Sequence, residues 1–270
     1  MRNVLIALLA TWLVGPAALA AEATAASLRA TLAPAGSLRA AFLGTNVVQG
    51  RVDPATGVVT GPIADLVQEL ARRMGVPYQI IAAPDAGAVI GHLNDGSADI
   101  GFLGYDVSRA EEVDFAGPYA SMHNSYVVAQ RSPLRQSSEI DRAGAIVGAV
   151  KGQTQQLFVS SRMKQAQVRV FDRQPPPAEL EALLRSGEVT AFGVNRQRAL
   201  ELGRASAELR ALPDSFMEVV QEFVVRKGEA QKRAVLDAFA AEMRASGFVQ
   251  ASLTKAGLEE SLSVASVDAR

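Results

Sequence analysis

The chain has 270 residues, of which 49% are apolar, 20% charged and 6% aromatic, and it contains no cysteine. Its apolar fraction excludes a disordered chain and is sufficient for one large domain or two smaller ones. The 27 basic and 28 acidic residues are spread along the chain, which argues against a nucleic-acid partner. With only His92 and His123 and no thiol, we predict no disulfide, no metal centre and no cofactor.

The N-terminal residues have the pattern of a cleavable signal peptide. A basic residue precedes an apolar run at Val4–Val14, and small residues at Ala18 and Ala20 fit a cleavage site. The run is too short to cross a hydrocarbon core, which needs about 20 residues. Without a cysteine at the cleavage point, lipid anchoring is not expected. We therefore predict a signal peptide over residues 1–20 and a periplasmic mature chain.

Short apolar runs then alternate with amphipathic helical patterns, which is typical of α/β proteins. Residues 21–37 are predicted to be a loose lead-in and residues 261–270 a frayed tail. Strands are predicted at 38–43, 78–82, 99–103, 126–129, 145–150, 168–171, 190–194 and 223–225. Helices are predicted to begin near residues 62, 85, 154, 177 and 196, and to span 230–245 and 248–258.

Two similar α/β blocks occur in this order, followed by helices that can pack back on the first block. Such an arrangement produces two chain crossings and a hinge, and ligands favour clefts between lobes. We predict that residues 38–122 and 224–260 form lobe 1 and that residues 123–223 form lobe 2.

The centre of the chain carries recognisable motifs. Ser108-Arg109 and Val113–Tyr119 match the T-x-x-R and V-D-F-S-x-P-Y segments of family 3 extracellular solute-binding proteins, and residues 98–130 resemble the middle of that family. Other matching segments follow the family's order: Gly57–Leu66, Val147–Thr154 and Phe223–Gly228. The resemblance implies a two-lobed periplasmic-binding-protein fold of the type II kind. Each lobe would contain a mostly parallel sheet flanked by helices, joined by a two-strand hinge.

The resemblance also implies a ligand site between the lobes. In that family an arginine at the position of Arg109 grips the ligand carboxylate, because a guanidinium forms a bidentate, charge-assisted pair. Gly152, Gln153 and Thr154 resemble the second-lobe loop that opens a helix, whose free N–H groups suit the same anion. A carboxylate bound by both lobes would hold the cleft closed.

Four positions depart from the pattern of the amino-acid binders. Asn195 stands where an aspartate usually pairs with the ligand ammonium, and Asn46 stands about where an aromatic ring normally stacks on the ligand. Gly104 replaces a serine or threonine, and Gln153 replaces the first threonine of its loop. Tyr105 completes the predicted set of ligand contacts. These departures favour a carboxylate ligand without an ammonium group.

Most of these residues also have a purely structural interpretation. Arg109 could form a surface ion pair with an acidic residue at 111–114, which is worth about 0–1 kcal/mol. Thr154 could be a plain N-cap, and Asn195 could cap the following helix. Tyr105 could be a core residue. These alternatives stay open at the level of the sequence.

The resemblance implies the substrate-binding component of an ABC importer. Its ligand would be a small carboxylate-bearing solute, its partner a membrane permease, and its state monomeric. Two alternatives are a dehydratase-like enzyme acting on a cyclic carboxylic acid and a ligand-sensing module of a signalling system. Because the matched positions are Arg, Asn, Gly, Gln and Thr, none of which is a natural acid or base near neutral pH, we predict no catalytic residue and no enzyme activity.

Overall fold

The computed structural model describes residues 16–266. Most of the predicted signal peptide, residues 1–15, lies outside the described residues, as do residues 267–270 of the predicted tail. Within the described range, every helix is too short or too polar to cross a membrane.

Helices and strands alternate along most of the chain. The helices are α1 (Pro16–Leu32), α2 (Pro62–Met74), α3 (Ala86–Asn94), α4 (Thr154–Arg162), α5 (Pro177–Ser186), α6 (Arg196–Ala205), α7 (Ala230–Ala245) and α8 (Phe248–Lys255). The strands are β1 (Leu38–Leu43), β2 (Arg51–Val52), β3 (Val59–Thr60), β4 (Tyr78–Ala83), β5 (Ile100–Gly104), β6 (Val113–Ala129), β7 (Ile146–Val150), β8 (Gln167–Phe171), β9 (Ala191–Asn195), β10 (Leu209–Ala211), β11 (Met217–Arg226) and β12 (Leu262–Val264). Each helix predicted from position 62 onward is present.

The main strands follow the spatial order β4-β1-β5-β11-β6-β9-β7-β8. In the first lobe β1 pairs in parallel with β4 and β5, and in the second β7 pairs in parallel with β8 and β9. Between them β6 and β11 run antiparallel to each other and to their outer neighbours. The predicted fold, with two mostly parallel sheets and two hinge strands, is therefore confirmed.

Separate hydrophobic cores lie on either side of the hinge strands β6 and β11. In the first lobe the rings of Phe102 and Phe223 lie 4.7 Å apart within a core covered by α2, α7 and α8. In the second lobe Tyr126 stacks on Phe216 at 4.1 Å. The predicted lobe boundaries, near residues 122 and 223, fall inside β6 and β11. Each lobe thus has a core of its own, as a hinged movement requires.

Both described terminal segments are regular, so the predictions of a loose lead-in and a frayed tail are wrong. Helix α1 ends at Leu32, whose side chain is fully buried, and Arg29 donates to the carbonyl oxygen of Met74 at 3.2 Å. At the other end, β12 pairs with β6 through Leu262 and Met122. Neither segment has a clear hydrophobic period, and contacts with the first-lobe core fix its structure.

The hinge strands β6 and β11 are much longer than the strands predicted there from the sequence. Strand β6 has 17 residues, whereas the sequence predicted only its last four. Gly117 and Pro118 lie within this strand, and the pairing of β6 with β11 shifts register there, between Gln221 and Phe223. A proline is tolerated within a sheet at such a bulge, so the strand continues through it.

We expect Gly117→Ala to destabilise the protein by roughly 2–4 kcal/mol, measured by urea unfolding. Gly117 has a φ of +52°, and an added Cβ would lie 2.5 Å from the carbonyl oxygen of Leu236 in α7. Gly144→Ala is the matched control, since Gly144 has a φ of +80° and open space around it. The control should lose only about 1 kcal/mol. Equal losses would show that the close approach of α7 does not require this glycine.

Candidate functional site

A small pocket lies between the lobes, at the carboxyl ends of parallel strands. Leu43 ends β1, Gly104 ends β5 and Asn195 ends β9, and the start of α4 closes the opposite wall. Ligands commonly bind at this edge of α/β sheets. The pocket has a volume of about 30 Å³, enough for about two waters at roughly 10–15 Å³ each.

The structure brings six of the seven predicted ligand contacts to this pocket: Asn46, Gly104, Arg109, Gln153, Thr154 and Asn195. Tyr105 lies outside it. Its ring lies 5.0 Å from that of Phe115 and packs on the core beneath α3. Successive residues of an extended chain point to opposite sides, so Gly104 and Tyr105 cannot both face the pocket.

Arg109 joins the two walls of the cleft. Its side chain is buried, at 6% exposure. Nη1 donates to the carbonyl oxygen of Gly104 at 2.9 Å, and Nη2 donates to that of Gly152 at 2.7 Å. Gly104 belongs to the first lobe and Gly152 to the second, so one guanidinium contacts both.

Arg109 forms no direct ion pair in the described part of the chain, although the Asp106 carboxylate acts on its charge from a greater distance. No carboxylate there lies within 4.0 Å of the guanidinium, and Asp114 pairs instead with Lys227 at 3.0 Å. The surface ion-pair interpretation therefore does not hold. Burial lowers the pKa of Arg109, and the negative charge of Asp106 opposes this shift. The arginine stays cationic at neutral pH, and a buried cation of this kind favours an anionic ligand.

The amino end of α4 supplies a second feature suited to an anion. The helix begins at Thr154, so Thr154 is its first residue and not its N-cap. Gln153 occupies the N-cap position, and its side chain makes no capping hydrogen bond. The first N–H groups of a helix have no partner within the helix and carry its positive dipole end. An anion in the pocket can accept from them.

Two asparagines in the pocket differ in how their oxygens are used. Oδ1 of Asn195 accepts from the N–H of Arg198 at 2.8 Å, so Asn195 caps α6. Its Nδ2 remains as a donor beside the pocket. Asn46 is 8% exposed, and its Oδ1 has no donor among the described residues. A buried acceptor in this state costs about 1–3 kcal/mol.

Sequence reasoning missed five residues that also line the pocket: Leu43, Thr45, Met122, Gln155 and Gln221. Gln155 donates to Oδ1 of Asn124 at 2.6 Å, and Gln221 accepts from Nε2 of Gln49 at 3.0 Å. No local signal marks Gln221, because the same strand also contains the polar residues Glu218 and Glu222.

A larger chamber of about 600 Å³ adjoins the pocket and shares Leu43, Thr45 and Gln153 with it. Neither histidine lines the pocket or the chamber. Among the described residues, no group of three or more histidine, aspartate and glutamate side chains could hold a metal ion. The pocket offers amides, hydroxyls and one guanidinium, which can bind an anion by hydrogen bonds.

A family profile described as bacterial extracellular solute-binding proteins, family 3, matches residues 44–258. This match confirms the resemblance inferred from the motifs. Among curated proteins, membrane-bound lytic murein transglycosylase F 1 of Alkalilimnicola ehrlichii is 34% identical over 71 residues. That alignment covers 26% of this chain and only 14% of the relative's length.

Solved structures share the fold. A mutant of ArgBP from T. maritima superimposes with a TM-score of 0.69 at 21% identity, over 84% of this chain and 98% of that chain. The ancestral amino acid-binding protein AncCDT-1, described as a precursor of cyclohexadienyl dehydratase, gives 0.69 at 20% identity over 85% and 98%. AbpA from Streptococcus pneumoniae, bound to L-arginine, gives 0.69 at 17% identity over 85% and 98%.

We expect Gly104→Ser to lower stability by roughly 1–3 kcal/mol without adding a ligand contact. An added Cβ would lie 2.7 Å from Cγ1 of Val219 and 3.1 Å from Nε2 of Gln221. Gly91→Ser in α3 is a suitable control, because nothing lies within 4 Å of the added atom there. Thermal unfolding of the two variants checks the expectation. A Gly104→Ser protein as stable as the control variant would contradict the tight packing described here.

Proposed function

The chain belongs to family 3 of the bacterial extracellular solute-binding proteins, and we propose that it binds a small carboxylate-bearing solute between its lobes as the substrate-binding component of an ABC importer. The observation that supports this most is Arg109, a buried cation on the pocket wall that forms no direct ion pair with a described carboxylate. A ligand carboxylate would provide the missing charge through a charge-assisted pair. The signal peptide predicted over residues 1–20 would account for export to the periplasm.

Closure would follow from contacts that exist only when both lobes touch the ligand. In the described conformation Arg109 already joins the two walls of the pocket, so separating the lobes would admit a ligand. On closing, the carboxylate would accept from Arg109 of the first lobe and from the free N–H groups of α4 in the second. Two further contacts join the lobes: Arg51 pairs with Glu201, and Ser261 donates to Gln197 at 3.0 Å. The closed form would then dock, as a monomer, on a membrane permease.

The ligand would be a polar amino acid or a related organic acid, with a preference for acids that lack an ammonium group. The structural relatives include proteins described as bound to L-arginine or as a receptor for L-cysteine. In this chain, however, no acidic side chain lines the pocket in the described residues. An ammonium group in this pocket would find no carboxylate side chain to pair with.

We propose binding and not catalysis. The relatives include a dehydratase precursor, and a short segment matches a transglycosylase, so chemistry in the cleft is the competing proposal. Proton transfer needs an acid or base with a suitable pKa within hydrogen-bond reach of the substrate. The amides, hydroxyls and guanidinium of the pocket do not offer one. A ligand-sensing role uses the same pocket, and recovery of a permease with the closed protein would distinguish the importer.

Arg109→Ala should weaken binding at least about 30-fold, since removing one partner of a buried charge pair costs about 2–5 kcal/mol. A thermal-shift screen of amino acids and of mono- and dicarboxylic acids identifies the ligand, and calorimetry then measures its affinity. Arg109→Lys is the control, because it keeps the charge but cannot form the bidentate pair. It should bind more weakly than the wild type and more tightly than Arg109→Ala. Unchanged affinity in a folded Arg109→Ala variant would rule out this site.

Asn195→Asp should shift the preference of the pocket toward amino acids. Aspartate keeps the N-cap of α6 but adds the negative charge that an ammonium group needs. The wild type should be stabilised more by an amine-free acid than by the L-amino acid of the same skeleton. At 100 times its dissociation constant a ligand adds about 2.7 kcal/mol, or roughly 5–10 °C in Tm. A wild type that binds the amino acid tightly and rejects its des-amino analogue would contradict this preference.

A further inference from the structure

The pocket at Arg109 has room for the head of a solute only. Its volume is about 30 Å³, the space of about two waters at roughly 10–15 Å³ each. A carboxylate that binds at Arg109 therefore brings the group on its neighbouring carbon against the walls of the same pocket. The residues of this pocket thus decide which group is accepted beside the carboxylate. This step rests on the proposed function, which places the carboxylate at Arg109.

The carboxylate itself finds enough donors at Arg109 and α4. A carboxylate has about four acceptor sites. Arg109 donates to Gly104 and Gly152 through Nη1 and Nη2 and, like any guanidinium, has further N–H groups. The first N–H groups of α4 have no partner within the helix, and the side chain of Thr154, its first residue, also lines the pocket. These groups are sufficient for the carboxylate without a donor from Asn195.

Asn195 presents a donor whose identity the fold decides. The backbone N–H of Arg198 can only donate, so the amide atom that lies 2.8 Å from it is the oxygen Oδ1. That oxygen is used in the N-cap of α6, which leaves Nδ2 as the free end of the amide. Nδ2 has no acceptor among the described residues, and it is not one of their buried unpaired atoms, so solvent reaches it. Because Asn195 lines the pocket, this accessible N–H group is available to a ligand.

The lining of the pocket determines which chemical group suits this donor. Apart from Arg109, the side chains that line the pocket are uncharged, so an ammonium group beside the carboxylate finds no anionic partner. An ammonium group is also a donor, and two donors cannot form a hydrogen bond with each other. A carbonyl oxygen in the same place accepts from Nδ2 of Asn195 and needs no charge to balance it.

We propose that the ligand carries an acceptor oxygen on the carbon beside its carboxylate, as an α-keto acid does, and that Nδ2 of Asn195 donates to this oxygen. The carboxylate lies at Arg109 and the start of α4. The remainder of the acid extends toward Leu43, Thr45 and Gln153, which the pocket shares with the larger chamber. Asn195 then selects α-keto acids over acids that lack this oxygen.

Calorimetry with acids of one skeleton tests the selection. The panel contains α-ketovalerate, its γ-keto isomer levulinate, and valerate, which share chain length and charge and differ in the presence and position of the keto oxygen. Pyruvate with propionate, and α-ketoglutarate with glutarate, extend the comparison to other skeletons. For the wild type we expect an α-keto acid to bind about tenfold more tightly than its unsubstituted acid, as one added hydrogen bond allows. The γ-keto isomer should show no such gain.

Two variants keep the N-cap of α6 and change the donor. Asn195→Ser retains an oxygen that can cap the helix but has no amide N–H, so it should bind α-ketovalerate and valerate equally. Asn195→Asp also retains the cap and replaces the donor by a carboxylate oxygen. It should bind the α-keto acid more weakly than the unsubstituted acid, because two acceptors then face each other. Thermal unfolding without ligand verifies that each variant is folded.

The outcomes distinguish this proposal from the proposed function. If the acids bind and depend on Arg109 while an α-keto acid has no advantage over its unsubstituted acid, the role of Asn195 is overturned and the proposed function stands. The role is also overturned if levulinate gains as much as α-ketovalerate, or if the advantage persists in Asn195→Ser. If no acid binds the wild type, or if binding is indifferent to Arg109→Ala, the proposed function fails and the selection by Asn195 fails with it.

Discussion

The buried guanidinium of Arg109 sets the character of the cleft. The guanidinium donates a hydrogen bond to one carbonyl oxygen of each lobe, at Gly104 and Gly152. These neutral partners do not cancel its positive charge. A net charge in a poorly solvated site is costly even when its donors are paired. The cleft is therefore electrostatically incomplete by itself. Because the same guanidinium contacts both lobes, binding of an anion to it would depend on how the lobes are arranged.

The residues that line the pocket come together because they lie at or just after the ends of strands. Strands β1, β5, β7 and β9 all terminate at the cleft, so the residues that follow them converge although they are far apart in the chain. The hinge strands β6 and β11 pair with each other and join the parallel strands of the two lobes. Strand β6 continues through Pro118 because the register shifts there, and a proline without an N–H is tolerated at such a bulge. The hydrophobic cores of the two lobes lie on either side of these paired strands.

Apart from Arg109, the polar side chains of the small pocket are neutral, and most of them are amides. Asn195 is engaged in capping α6, Gln221 and Gln155 bond to other amides, and Asn46 has an oxygen without a donor. Amides orient a ligand by hydrogen bonds but add no charge to balance a second cation. The pocket is small, at about 30 Å³, and the chamber beside it is larger, at about 600 Å³.

Local signals in the sequence determined the α/β architecture and most of the site. Helix α2 was predictable because Pro62 starts it, its apolar residues share one face, and Gly75 ends it with a φ of +64°. Motif matches placed six pocket residues, since their loops lie at strand ends. Tertiary contacts decided the rest. Helix α1 and strand β12 owe their structure to the core beneath them, and the directions of Tyr105 and Gln221 depend on strand pairing. The two carbonyl partners of Arg109 and the size of the pocket depend on how the lobes meet. Such contacts join residues distant in sequence, and no local pattern encodes them.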